Sequence, residues 1–133
     1  MTDPGDVDPF DLPGWLGDAP VTWRPDQGIR VGHLVRGLLS SLDDTLPCDL
    51  LAVDEAYPQP VSGDDVRTRT HQAWRHGQVL LLEYDARLTL AVPGRDFSAD
   101  RVLDTLARLA RAVGASADDY AALLRLGADR LAR

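Results

Sequence analysis

Residues 79–92 constrain the fold of this chain more than any other stretch. They read VLLLEYDARLTLAV: an apolar run, the pair Asp85-Ala86, then a run in which Leu88, Leu90 and Val92 alternate with Arg87, Thr89 and Ala91. Alternation with a period of two is the signature of a strand, and two such runs separated by two residues predict a hairpin. The first run is nearly all apolar and belongs in the middle of a sheet. Asp85-Ala86 lacks the glycine that tight hairpin turns favour, and Pro93-Gly94 ends the pairing. A helix follows over 98–113, with Ser98 as its cap and Gly114 as its stop. Val102, Leu103, Leu106, Leu109, Ala110 and Val113 form its apolar stripe, while Asp104 and Arg108 make an i,i+4 pair on the wet side.

The rest of the 133 residues fits around this ribbon and its helical roof. Residues 1–8 are acidic and expected to be disordered, and 9–28 form an irregular Pro/Gly-rich segment packed on the body, with a short strand at 21–23. Weak alternation predicts a strand at 29–36, Ser40 to Pro47 reads as a loop, and 49–57 is a further strand ended by Pro58 and Pro60. A helix over 63–76 starts at Ser62 with acids in its first turn and stops at Gly77. Ser116-Ala-Asp-Asp119 repeats that start for a last helix over 116–132. The expectation is one α+β domain over 1–133, a small antiparallel sheet covered by helices.

Charge narrows the partners. The 21 acids are 19 Asp and 2 Glu, all 14 bases are Arg, and the net charge is −7. Residues 1–65 hold 13 acids against Arg24, Arg30 and Arg36, a charge of −10, whereas 66–133 hold 8 acids against 11 arginines, a charge of +3. Arginine spread among aspartates at helical spacing is a solvated face, not the dense cationic groove that nucleic acid needs. Nucleic acid and anionic membranes are disfavoured; a basic protein partner suits the charge. No apolar run approaches the roughly 18 residues of a membrane span, and the acidic N-terminus does not read as a signal peptide. The lone Cys48 predicts neither a disulfide nor a zinc site, which points to a reducing, cytoplasmic setting.

The chemical candidates are few. His71 and His76 stand five apart, about 140° around a helix, so they diverge, and His76 is placed to cap helix-end carbonyls. Cys48 follows Pro47 and precedes Asp49, which raises rather than lowers a thiol pKa. Asp54-Glu55 with Tyr57 is the most suggestive acidic cluster. Adjacent strand residues face opposite ways, so the pair converges only if Asp54 meets Glu83 or Asp85 from a neighbouring strand. Phosphate-binding and nucleophile-elbow motifs are missing, and no cofactor or metal is expected. The large aromatics Phe10, Trp15, Trp23, Tyr57 and Trp74 lie in the first 74 residues. They serve either as binding anchors or as packing for the N-terminal segment.

The element order, short strands, helix, hairpin and helix over about residues 20–113, together with small size and acidity, resembles the type III secretion chaperone-like fold. The resemblance rests on order and charge rather than on a residue motif, and the helix from Ser116 departs from it. It implies a dimer that holds extended segments of partner proteins. Three functions follow for testing. The first is a non-catalytic adaptor or chaperone-like module that binds another protein. The second is a small-ligand binder or enzyme with a pocket between sheet and helices, lined by Trp74, Tyr57, Asp54 and Glu83. The third is an acidic antitoxin- or immunity-type partner of a basic protein. Trp15, Trp23, Asp54, Tyr57, Trp74 and Glu83 are the candidate binding residues. Leu123, Leu124, Leu126 and Leu131 occupy more than one stripe of the last helix, which motivates the homodimer expectation.

Overall fold

The hairpin forms where the alternation places it. A computed structural model describes residues 5–8, 11–18, 21–25, 34–41, 43–54, 63–84, 86–94, 99–113 and 123–124. Strand β6 (Leu80–Tyr84) pairs antiparallel with β7 (Arg87–Val92), Tyr84 opposite Arg87 and Leu80 opposite Ala91. The price of turning without glycine falls on Ala86, whose φ of 61° is left-handed, a region costing L-residues roughly 1–2 kcal/mol.

Before the hairpin come β1 (Gly5–Asp6), the single turn α1 (Trp15–Asp18), β2 (Thr22–Pro25), β3 (Leu34–Val35), β4 (Gly37–Ser40), β5 (Thr45–Ala52) and helix α2 (Asp64–Arg75). After it come helix α3 (Ala99–Ala112) and β8 (Leu123–Leu124). The strands order as β1-β6-β7-β5-β4-β2-β8, with β3 also on β5. The architecture is α+β, as the sequence implies, but the sheet is mixed rather than antiparallel. β5 and β7 run parallel, Cys48 beside Leu88 through Ala52 beside Val92, and β8 runs parallel to β2. The chain reaches β7 from β5 only through α2 and β6, a long connection of the kind parallel neighbours require.

Several sequence boundaries move. Residues 29–33 lie outside the described part, and the strand expected there appears as β3 and β4. These keep a single register against β5, Leu34 with Leu51 and Leu38 with Pro47, so they are one strand interrupted at Arg36. The expected loop at 40–47 shrinks to a tight turn in which Ser41 N–H donates to Asp44 O at 2.8 Å. β5 therefore starts at Thr45 and ends at Ala52, not at 49 and 57. Pro47 is tolerated because β7 joins β5 only from Cys48 onward, leaving its missing N–H no partner to lose on that side. Gly5–Asp6, expected to be disordered, are ordered by pairing with Glu83 and Leu82 and by an Asp6–Arg69 ion pair at 2.6 Å. Within the helix expected at 116–132, Leu123–Leu124 are instead a strand beside Thr22 and Trp23; the other residues of that span lie outside the described part.

Both faces of the sheet are apolar. On one, Cys48, Leu50, Ala52, Leu81, Leu88, Leu90 and Val92 meet Val102, Leu106, Leu109 and Ala110 of α3, with Leu16, Val21 and Trp23 from the N-terminal segment. Each buried leucine or valine among them contributes roughly 1.5–3 kcal/mol. Leu103, expected in this stripe, points outward and is 48% exposed. On the other face Leu51, Val53, Leu82 and Ala91 pack against Val66 of α2.

Trp23 is fully buried and fixes the approach of β2, β4 and β5. Its indole Nε1 donates to Cys48 O at 2.9 Å. A Cβ on Gly37 would sit 2.6 Å from the indole ring, so only glycine lets the ring lie against that backbone. Because the indole is pinned, Gly37→Ala is expected to destabilise the protein by about 1–3 kcal/mol, measurable as a lower midpoint in urea unfolding at unchanged m-value.

Candidate functional site

Helix α2 carries two stripes. Asp64 and Asp65 in its first turn suit the positive end of the helix dipole. Its N-cap is Gly63, which offers no side-chain cap; Ser62, the expected cap, lies outside the described residues. The inner stripe runs through Val66 and buried Thr70, whose hydroxyl donates to Val66 O at 2.7 Å. The outer stripe is Arg67, His71 and Arg75, one turn apart. The helix ends where Gly77 takes a φ of 78° and Gln78 N–H donates to Ala73 O. His76 Nδ1 lies 2.8 Å from Gln72 O, in the capping role its position implies.

His71 stands over the end of β5. There the parallel ladder runs past both strands: Val53 N–H donates to Val92 O, Asp54 N–H to Gly94 O, and Gly94 N–H returns to Asp54 Oδ2 at 2.7 Å. This fixes the Asp54 carboxylate so that His71 Nε2 lies 3.1 and 2.9 Å from its two oxygens. Burial pushes the Asp54 pKa up, but the Gly94 N–H, the hydrogen bond and charge of His71, and the charge of Arg67 together hold it below its ordinary 3.8. Asp54, Arg67, Thr68, His71, Gln72 and Arg75 line an open hollow of about 380 Å³.

A second hollow, about 700 Å³, opens between the ends of α2 and α3. Its cations are committed to structure. Arg108 lies 3.5 Å above the Trp74 ring centroid and donates through Nη1 to Trp74 O and Gln78 O. Its Nε is 3.3 Å from Asp104 without the alignment of a hydrogen bond. Arg111 donates to Gly77 O at 3.0 Å. These arginines tie α3 to the carbonyl end of α2, where cations are favoured.

Among the described residues the most buried charge is Asp49, on β5. Its carboxylate accepts from Arg87 Nε and Nη2 at 2.8 and 2.9 Å, from Arg36 Nη1 at 3.1 Å and from Gly37 N–H at 3.0 Å. Beside it the Cys48 thiol is pushed far up by burial and by the Asp49 charge, against a smaller pull from Arg87. It is an inert core thiol.

The candidate binding residues do not gather. Trp23 is core, Trp15 is half-buried against the same core, and half-buried Trp74 lies beneath Arg108. Glu83 is exposed and pairs with Leu88 near the hairpin turn, whereas Asp54 follows the opposite end of β5. β7 lies between β5 and β6, so Asp54 and Glu83 do not converge. Tyr57 lies outside the described residues, as do Glu55 and His33. The partner that Asp54 does find is His71, visible in sequence only as one rung of an i, i+4 cationic stripe. Among the described residues no group of three or more His, Cys, Asp or Glu is placed to hold a metal ion, and no helix is long and apolar enough to cross a membrane. Compared with known protein families, curated proteins and solved structures, the chain matches none.

Because the Asp54 pKa lies lower folded than unfolded, its ionised form stabilises the protein above about pH 4, and that contribution fades as the pH falls through the folded value. Asp54→Asn is therefore expected to be less stable than the parent at neutral pH and to converge with it in strong acid, as measured by urea unfolding across a pH series.

Proposed function

We propose that this protein is a non-catalytic interaction module that takes an extended segment of a partner protein as an added strand on the outer edge of β6. The observation that carries this reading is how that edge is closed. β6 has five residues, and among the described residues its outer side is covered by a strand of two, Gly5 and Asp6, followed by a long 3.4 Å bond from Val7 N–H to Leu81 O. The cover is held by the Asp6–Arg69 pair, whose side chains are 70% and 37% exposed, and by Val7, which packs half-buried against the core. Exposed pairs contribute about 0–1 kcal/mol. A short strand held by one exposed ion pair and one half-buried side chain is open to exchange for a longer one, and strand addition supplies affinity through main-chain hydrogen bonds.

Charge bears on the guest. Glu83 is exposed on the strand itself, and the segment that the guest displaces, with Asp6 and Asp8, stays covalently tethered in a half of the chain with a charge of −10, from 13 acids and three arginines. A basic extended segment fits this edge, in keeping with the acidic adaptor reading and with the resemblance to chaperones that hold extended partners.

A synthetic peptide of alternating Val and Arg tests the proposal, with backbone amide exchange as the readout. Binding is expected to protect the amides of residues 80–84 and to weaken steeply with salt. Arg69→Ala, which releases Asp6, is expected to raise affinity severalfold. Protection elsewhere with β6 unchanged, or an affinity indifferent to Arg69→Ala, would overturn it.

A further inference from the structure

We infer that the hollow between α2 and the end of β5 binds a small phosphate monoester, a reading that stands apart from strand addition at β6. Arg67, His71 and Arg75 follow one another at single-turn intervals, so both guanidinium groups flank the imidazole along about 12 Å of helix. With Thr68 and Gln72 they border one cavity of about 380 Å³. That is the size range of small-molecule sites, roughly 300–1,000 Å³.

The cations here are available, unlike those of the second hollow. Arg75 forms no ion pair among the described residues. Arg67 is held at 2.7 Å by Asp64, whose side chain is 91% exposed, a pair that is cheap to give up. Asp54 occupies His71 Nε2, which leaves Nδ1 for a ligand. With Nε2–H donating to Asp54, Nδ1 becomes a donor only when the ring carries both protons. In that state, among the described residues, three cations and one carboxylate border the hollow, an excess of two positive charges. A phosphate monoester carries about −1.5 to −2 and offers three strong acceptor oxygens, enough for one each from Arg67, His71 and Arg75. A simple carboxylate offers half the charge and one oxygen fewer. The net charge of −7 opposes indiscriminate anion uptake, so any attraction has to come from this local group. Among the described residues the ionisable groups facing His71 are Asp54 at the end of β5 and Arg67 and Arg75 on its own helix, and the end of β7 contributes only the Gly94 backbone.

Titration calorimetry of the full chain with O-phosphoserine, inorganic phosphate, sulfate and acetate tests this, with the His71 ring resonances as a local readout. Saturable binding of both phosphate probes is expected, with little or none for acetate. Arg75→Ala and His71→Gln are each expected to weaken it about tenfold or more, whereas Arg24→Ala, an exposed arginine on β2, leaves it unchanged. Sulfate, a tetrahedral dianion, is expected to compete with both phosphate probes, whereas acetate is not. Absence of saturable phosphate binding, or equal losses in Arg24→Ala and Arg75→Ala, would each refute the site. Amide exchange at β6 is a separate readout, so either proposal can fail without the other.

Discussion

A fully buried carboxylate, Asp49, sets the terms for the rest of the sheet. An ion moved out of water costs several kcal/mol unless its charge is met and its lone pairs are filled. Asp49 draws its donors from two directions. Arg87 comes from β7 as a two-pronged guanidinium clamp, while Arg36 and the Gly37 N–H come from the β3–β4 strand on the other side. Arg87 Nη2 also donates to Gly37 O at 2.9 Å. The group joins three neighbouring strands, and a slip of one residue in any of them would bring the wrong side chain to the carboxylate. It also accounts for the interruption at Arg36, where the aspartate takes the Gly37 N–H that a regular ladder would use. Apolar packing supplies most of the stability, but it does not specify register as sharply.

The two proposed binding surfaces lie at the margins of this pinned centre. Parallel pairing of β5 with β7 brings Asp54 beside Gly94 at a common end, and α2 crosses that end with its cationic stripe. The opposite margin is β6, held on its inner side by the full β7 ladder and on its outer side by two residues of the N-terminal segment. Firm support on one side and a light cover on the other is what an edge needs if it is to exchange partners without disturbing the core.

What could be read from the residues was what depends on near neighbours. The hairpin at 79–92, α2 and α3 follow from alternation, 3.6-residue periodicity and the stops at Gly77 and Pro93-Gly94, and each appears within a residue or two of its expected place. What escaped depends on contacts between distant segments. Nothing local says that β7 inserts beside β5, or that Leu123–Leu124 leave a helical pattern to pair with β2. Pro47 reads as a breaker until its one-sided pairing is known. Gly37 and Trp23 look unrelated until the ring lies on the glycine. Asp49 carried the clearest unused signal: a carboxylate within Leu46-Pro-Cys-Asp-Leu-Leu-Ala-Val, which as a buried strand demands a cationic partner elsewhere. Asp54 stood out among the acids, but its partner was sought on a neighbouring strand, whereas helix packing delivers His71.

The most direct test is a double-mutant cycle on Asp49 and Arg87, with unfolding free energies for the parent, Asp49→Ala, Arg87→Ala and the double variant. Asp49→Ala alone is expected to cost about 3–5 kcal/mol, since it strands Arg87 and the Gly37 N–H. The double variant should cost well under the sum of the singles, a coupling of about 1–3 kcal/mol. Costs that simply add, or an Asp49→Ala protein as stable as the parent, would mean that packing alone holds the strands in place.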